Sequence, residues 1–329
     1  MTPEVKKFDA ILLAGEGESS FKVYNRHKAF LKINDKCIIS YVLETLQQVE
    51  SIRRIYIVGL KDKIIQPLKD LRIDMSYPKP IHIVQQRANL YENIWYTFLE
   101  TLAPEGEEPD LSCDENIEKA VLIVPCDAPL ITPHEVEYFV SRADTKQYDH
   151  ISGLTARENL EHFYPKKGLP GIKMAYLHLK EKKYRINNLH LVKPLRIGNR
   201  EYVQKMYQYR YQRNIKNVFL FGLSLLIDNP INLRYYFGLQ LGLFFSKCKL
   251  EFLADYFRAW TPKRDTELCI SNVLKTRFTG METPFPGAAL DIDNDRDFEV
   301  IRTRFNEWQH YLESLNREHP LSAKSESMV

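Results

Sequence analysis

The chain has 329 residues, 44% hydrophobic and 27% charged, with a formal net charge of +3. That length buries a substantial core, in one large domain or one domain plus an insertion, while a balance so near neutral singles out no class of partner. Five cysteines (37, 113, 126, 248 and 269) form no metal-spaced cluster, and the apolar run near residue 11 ends in glycines and acids, unlike a signal peptide, so a reduced, cytoplasmic compartment is expected.

In chain order, a buried-strand run (Ile11, Leu12, Leu13) leads into Ala14-Gly15-Glu16-Gly17-Glu18-Ser19-Ser20, and Lys28 follows in His27-Lys28-Ala29-Phe30-Leu31. Glycines let backbone N–H groups approach an anion, and a lysine adds a point charge. The loop alone is also compatible with an ordinary βα turn. It is no Walker loop, since no Lys-Ser or Lys-Thr follows the glycines, and no dinucleotide fingerprint, since Ser20 stands where a third glycine belongs. A lysine 11 residues beyond Gly17 suits a flap closing over a nucleoside triphosphate.

Apolar residues at helical spacing (Ile38, Val42, Leu46, Val49) predict a helix, and strands are expected at Arg54–Gly59 and Ile81–Gln85. A helix from Tyr91 to Leu102 and an acidic surface loop over 104–118 come next. A strand at 121–124 ends in Pro125-Cys126-Asp127-Ala128-Pro129-Leu130, which sets Asp127 where open α/β sheets place ligand chemistry; Cys126 reads as a small buried filler. Thr132 is a good N-cap for the helix that Pro133 opens. Strands alternating with helices predict an α/β, Rossmann-like, mostly parallel mixed sheet with helices on both faces.

From Phe163 to Lys216 there are 14 Lys/Arg against two acids, an asymmetry that marks an anion-facing surface or, for most of these residues, a solvated basic face. Gly171-Ile172-Lys173 and Arg185-Ile186-Asn187-Asn188-Leu189-His190 read as loops bordering an acceptor-phosphate pocket, with Lys173, Arg185, Asn187 and Asn188 as its candidates. Between Asn217 and Trp260 two apolar runs of about ten residues are each too short for a spanning helix of ~20. A helical subdomain on the core is expected; a monotopic patch lying on the inner face of a membrane is the alternative, suited to a lipid-precursor acceptor. Near the end, Asp291 and Asp293 flank Ile292, and on a strand both carboxylates would share one face. Oxygen ligands from two chain segments are what a hydrated Mg²⁺ on a phosphate substrate requires.

The order LAGxGxS…KAFL, VPCDAPL and DIDNDRDFEVI resembles the MobA-like nucleotidyltransferases, which include molybdenum-cofactor guanylyltransferases, sugar-phosphate nucleotidyltransferases and methylerythritol-phosphate cytidylyltransferase. Their opening motif, L-A-[AG]-G-x-G-x-R-M…[DP]-K-x-L, is matched by Leu12, Ala14, Gly15, Gly17 and Lys28, with Leu13 where alanine is usual and Ser19 where the arginine stands. Asp127 and Pro129 match the strand-end D-x-P, and Asp293 is the better match to the terminal acid. The likeness covers roughly residues 7–155 and 285–305. It implies Mg²⁺ held by Asp127 and Asp293, with Asp291 in reserve, and catalysis by Lys28, Asp127 and Asp293. It implies a nucleotide site of Leu13, Ala14, Gly15, Glu16, Gly17 and Lys28, with Gln86 and Asn89 reading the base; Asn89 reads equally well as a helix N-cap.

The domains expected are an α/β core over 1–195 and 283–318, a mainly helical insertion over 196–282, and a disordered tail over 319–329. The activity implied is transfer of a nucleoside monophosphate to a phosphorylated sugar, alcohol or lipid precursor, with pyrophosphate leaving. No nucleic-acid-reading motif accompanies the basic stretch, so nucleic acid is not an expected partner. The alternatives are a glycosyltransferase using D-I-D as its metal motif and a non-catalytic nucleotide-binding or membrane-tethering protein.

Overall fold

The structure is a computed structural model that describes residues 6–16, 22–70, 78–103, 107–203 and 230–321. Gly17, Ser19, the apolar run 218–227 and the tail from 322 lie outside the described residues. Strand β1 (Phe8–Ala14) is followed by a small hairpin, β2 (Lys32–Ile33) and β3 (Lys36–Cys37), and by α1 (Ile38–Gln48). Next come β4 (Ile52–Gly59), α2 (Lys61–Asp70), β5 (Ile81–Gln85), α3 (Leu90–Leu102), the single turn α4 (Asp114–Ile117), β6 (Val121–Pro125) and α5 (Pro133–Arg142). Then follow β7 (His150–Ala156), α6 (Arg157–Leu160), β8 (Leu177–His178) and β9 (Lys183–Val192). Helices α7 (Pro230–Lys247), α8 (Glu251–Arg258) and α9 (Lys263–Leu274), strand β10 (Phe278–Thr283) and the long α10 (Asp295–Glu318) complete the order.

The strands form one sheet in the order β10-β7-β9-β6-β1-β4-β5, with β8 paired to β9. β5, β4, β1 and β6 run parallel, β10 runs parallel to β7, and β9 is antiparallel to both β6 and β7. This is the mixed, mostly parallel sheet expected. Alternation along β1 explains the two helical layers. Ala10, Leu12 and Ala14 pack with Val42 and Leu46 of α1 and Val136 and Phe139 of α5; Ile11 faces the other way and packs with Tyr56, Val58 and Phe98 of α3.

Three expectations change. Residues 185–190 are not a loop but the middle of β9. Asp291, Ile292 and Asp293 are not on a strand: the Ile292 N–H bonds the Asp127 carbonyl at 3.0 Å, and Asn294 already caps α10, which leaves no room for a ladder. The chain also re-enters the sheet at Phe278, before the boundary at 283, because β10 pairs in register with β7.

Asn187 is a fourth correction. It sits at an irregularity where β7 slips against β9, and its amide fills the space above Gly153, where a Cβ would lie 2.0 Å from Asn187 Oδ1. It is 1% exposed, donates to the Thr155 and Thr283 hydroxyls at 3.3 and 3.4 Å, and accepts from the Leu189 N–H at 3.1 Å. A fully satisfied buried amide has nothing left for an acceptor, so Asn187 holds the sheet together.

Candidate active site

Parallel strands expose their carboxyl ends along one edge, and β1, β4 and β6 all finish there. The Cys126 N–H bonds the Leu13 carbonyl at 3.0 Å, so the Asp127 turn leaves the sheet beside the start of the glycine loop. The backbone hydrogen bond from the Ile292 N–H to the Asp127 carbonyl then zips the two acid-bearing segments together. Because Ile292 is fully buried, its neighbours Asp291 and Asp293 both turn outward, an extended-chain alternation without a strand.

Lys28 joins these parts. Its ammonium lies 3.0 Å from Asp127 Oδ2 and 3.6 Å from Asp293 Oδ1, with side-chain exposures of 12%, 19% and 50% for lysine and the two acids. Burial alone would lower the lysine, but Asp127, Asp293 and Asp291 outweigh it and hold Lys28 above its ordinary pKa. Burial pushes the Asp127 carboxyl up; Lys28 opposes this, and Asp291 and Asp293 add to it. Arg185 pairs with Asp291 at 2.5 Å and donates to the Ala289 carbonyl at 2.9 Å. Three carboxylates thus face two cations. All the acidic donors are hard oxygens, which suits Mg²⁺, although among the described residues no three of His, Cys, Asp and Glu close into a metal-holding group. That is no conflict, since Mg²⁺ commonly takes one or two carboxylates and completes its shell with water and substrate phosphates.

The glycine loop is tethered from two sides. Gln86 makes a paired bond to Glu16, accepting its N–H at 2.7 Å and donating to its carbonyl at 2.6 Å. The half-buried His27 bonds the Gly15 carbonyl through Nε2 at 2.9 Å and accepts the Ala29 N–H on Nδ1 at 3.2 Å. This fixes the neutral tautomer protonated on Nε2, and burial lowers the pKa of the ring accordingly. Gly15 has no room for a side chain, because a Cβ would meet Asn93 Nδ2 at 2.9 Å.

The remaining predicted residues divide. Leu13 and Ala14 end β1 beside the loop. Asn89 caps α3, its side chain accepting the Glu92 N–H at 2.9 Å, which is the alternative the sequence offered. Asn188 donates to the Ala288 carbonyl at 2.8 Å, and with Arg185 it braces the chain leading to Asp291. Lys173 is exposed on an irregular segment. Five residues of the basic run are ion-paired: Lys182, Lys183, Arg185, Lys193 and Arg196 pair with Glu282, Glu251, Asp291, Glu118 and again Glu118.

Glu135 was not anticipated. It is fully buried, and both its oxygens lie 3.0 Å from the Ala288 N–H, which fastens the 287–290 turn that delivers Asp291. Burial pushes its carboxyl up to about 8. Thr132-Pro133-His134-Glu135 spells a capping box, and the Thr132 hydroxyl does accept the Glu135 N–H at 3.1 Å, so the signal was there; its long-range partner was not.

A family model of the MobA-like NTP transferase domain matches residues 10–219. The match includes the loop, Lys28 and Asp127 and ends before Asp291 and Asp293. No curated protein sequence matches the chain. Among solved structures, a hypothetical transferase from Thermus thermophilus is similar over 88% of this chain and 99% of its own, with 19% identity and a TM-score of 0.58. A 4-diphosphocytidyl-2C-methyl-D-erythritol synthase from Anaerococcus prevotii matches 92% of this chain and all of its own, at 11% identity and a TM-score of 0.43. A CMP:2-keto-3-deoxy-manno-octonic acid synthetase complexed with CTP matches 92% and 99%, at 12% identity and a TM-score of 0.44. The first of these shares the fold; the scores of the other two carry no argument.

Proposed function

The chain belongs to the MobA-like NTP transferase family, and from that premise we propose that it transfers a nucleoside monophosphate from a nucleoside triphosphate to a phosphorylated acceptor, releasing pyrophosphate. One observation carries this reading: the mostly buried Lys28 ammonium lies between Asp127 and Asp293, beside a tethered glycine turn. The Gly15-Glu16 turn, held in place by Gln86 and His27, borders the triphosphate site, and Lys28 neutralises charge on its phosphates as pyrophosphate leaves. Asp127 and Asp293, with Asp291 in reserve, would hold Mg²⁺, which when bound supplies positive charge to the nucleotide's phosphate oxygens. An acceptor phosphate is already ionised and needs no general base, so catalysis is positioning and electrostatics.

The acceptor is a phosphorylated sugar, alcohol or lipid precursor, bound on the side of Arg185 and Lys173. The lipid form has one specific support: Phe244, Leu250, Phe252 and Tyr256 stand 58%, 50%, 84% and 56% exposed along α7 and α8, while among the described residues no helix is long and apolar enough to cross a membrane. A surface contact is then the mode open to this patch.

The test is a thermal-shift panel of CTP, GTP, UTP and ATP with Mg²⁺, beside UDP-glucose and GDP-mannose, on wild type and Asp127→Asn. Stabilisation by one triphosphate, lost in the variant, supports the reading and names the base. A response confined to nucleotide-sugars moves the assignment to glycosyl transfer, and no response at all defeats both.

A further inference from the structure

The sheet has a second charged pocket, at the opposite end from the cleft. A cavity of about 410 Å³ opens beside the first residues of β1 and β6 and the start of β4, with the end of α3 and the α4 turn as its walls. Its floor is Asp9, which is 0% exposed. The Arg53 guanidinium grips that carboxylate with two bonds of 3.0 and 2.9 Å, Lys119 lies 3.1 Å from it, and Arg54 lies 3.6 Å away. Lys6 and Lys7 complete the cationic lining.

The charges do not balance. Asp9 gives one negative charge to three cations, and five cations line the cavity against Asp9, Glu115 and Glu118. Glu118 is already engaged by Lys193 and Arg196, neither of which lines the cavity. Burial lowers Lys119, and although Asp9 opposes this, Arg53 and Arg54 add to it. Cations gathered this closely are stabilised by an added anion. The carboxylate on the floor also orients the guanidinium and ammonium donors, so their arrangement exists before any ligand arrives.

We propose that this cavity is an anion-binding site, separate from the cleft, that takes a small phosphate-class molecule such as pyrophosphate or a phosphomonoester. Its volume is that of a small-molecule site, and its Arg and Lys donors match phosphate oxygens. β1 joins the two sites: Asp9 lies at its start and Ala14, beside the glycine loop, at its end.

The test is isothermal titration of the full chain with inorganic pyrophosphate in Mg²⁺-free buffer, on wild type, Arg54→Gln, Lys119→Gln and Lys28→Ala. Binding that survives Lys28→Ala and weakens tenfold or more in Arg54→Gln is the expected result. Equal affinity in wild type and Arg54→Gln, the absence of binding heat, or binding abolished by Lys28→Ala alone would each overturn it. Arg54 is about one-third exposed and dispensable to the core, so it decides the matter if Lys119→Gln fails to fold. Parallel titrations with inorganic phosphate and AMP separate the free ion from a phosphomonoester by which binds more tightly. Because Lys28→Ala disables the cleft, failure of this proposal and failure of the nucleotidyl-transfer reading remain distinguishable.

Discussion

The two ends of the sheet collect charge with opposite stoichiometry. At the carboxyl ends, Asp127, Asp291 and Asp293 outnumber Lys28 and Arg185. At the amino ends, Asp9 is surrounded by Arg53, Arg54 and Lys119, and five cations line the cavity against three carboxylates. Helix packing and strand alternation treat both ends alike, so neither imbalance follows from folding alone. An excess of acid calls for a cation, and an excess of base calls for an anion; on the functions proposed for them, the first end would hold a metal and a triphosphate and the second a phosphate.

The largest effect should come from Asp127→Asn, which removes a charge the fold disfavours. Turnover, followed as pyrophosphate release, should fall on the order of 10³-fold. The melting temperature should hold or rise, because burial and the neighbouring acids already raise the Asp127 carboxyl. A variant that loses activity only because it unfolds would make Asp127 a structural residue and erase the contrast between the two ends.

Lys28→Ala should cost on the order of 10²-fold or more in turnover. Near-normal turnover would take Lys28 out of the site and leave the three carboxylates without their organising cation.

Glu135 sharpens the comparison through pH. Its folded pKa of about 8 lies above the ordinary 4.5, so its contribution to stability is full below about 4.5 and is lost as pH rises through 8. Melting curves of wild type and Glu135→Gln should diverge across that window, with wild type losing several degrees relative to the variant, since glutamine can still accept from Ala288 without ionising. Parallel curves would mean that Glu135 is not held neutral.

Arg53→Gln is the smallest change and probes the amino end. It should lower stability by about 2 kcal/mol in urea titration, less than a fully buried pair, because Arg54 and Lys119 stay with Asp9. Turnover at saturating substrate should be unchanged. A drop in turnover without loss of stability would show that the amino end speaks to the cleft.

Much of the site's chemistry was readable in order along the chain. Gly15, Lys28 and Asp127 sit in short motifs whose geometry is set locally, by a strand end, a tight turn and flanking prolines. The Thr132 cap was equally local, and so was the Asn89 cap, offered beside a base-reading role. Misreadings arose where long-range partners decide. Asn187 and Asn188 read as loop residues because asparagines favour turns, yet β7, β8 and β6 claim that segment as strand, and the amide of Asn187 finds its partners in Thr155 and Thr283. The basic run from 163 to 216 read as an anion-facing or solvated surface because its neighbours in sequence hold almost no acid; for five of its residues, Glu118, Glu251, Glu282 and Asp291 come from far along the chain to meet them.

The sequence by itself determined the order of strands and helices, the buried alternation of β1, and the residue types at the cleft, since hydrophobic period, caps and turn chemistry act over a few residues. Only the tertiary structure decided which acid meets which base. A carboxylate and an ammonium pair by distance and burial in space, and neither quantity is set by how far apart they stand along the chain. Lys28 between Asp127 and Asp293 and Asp9 beneath Arg53 exist only once the sheet brings their strands side by side.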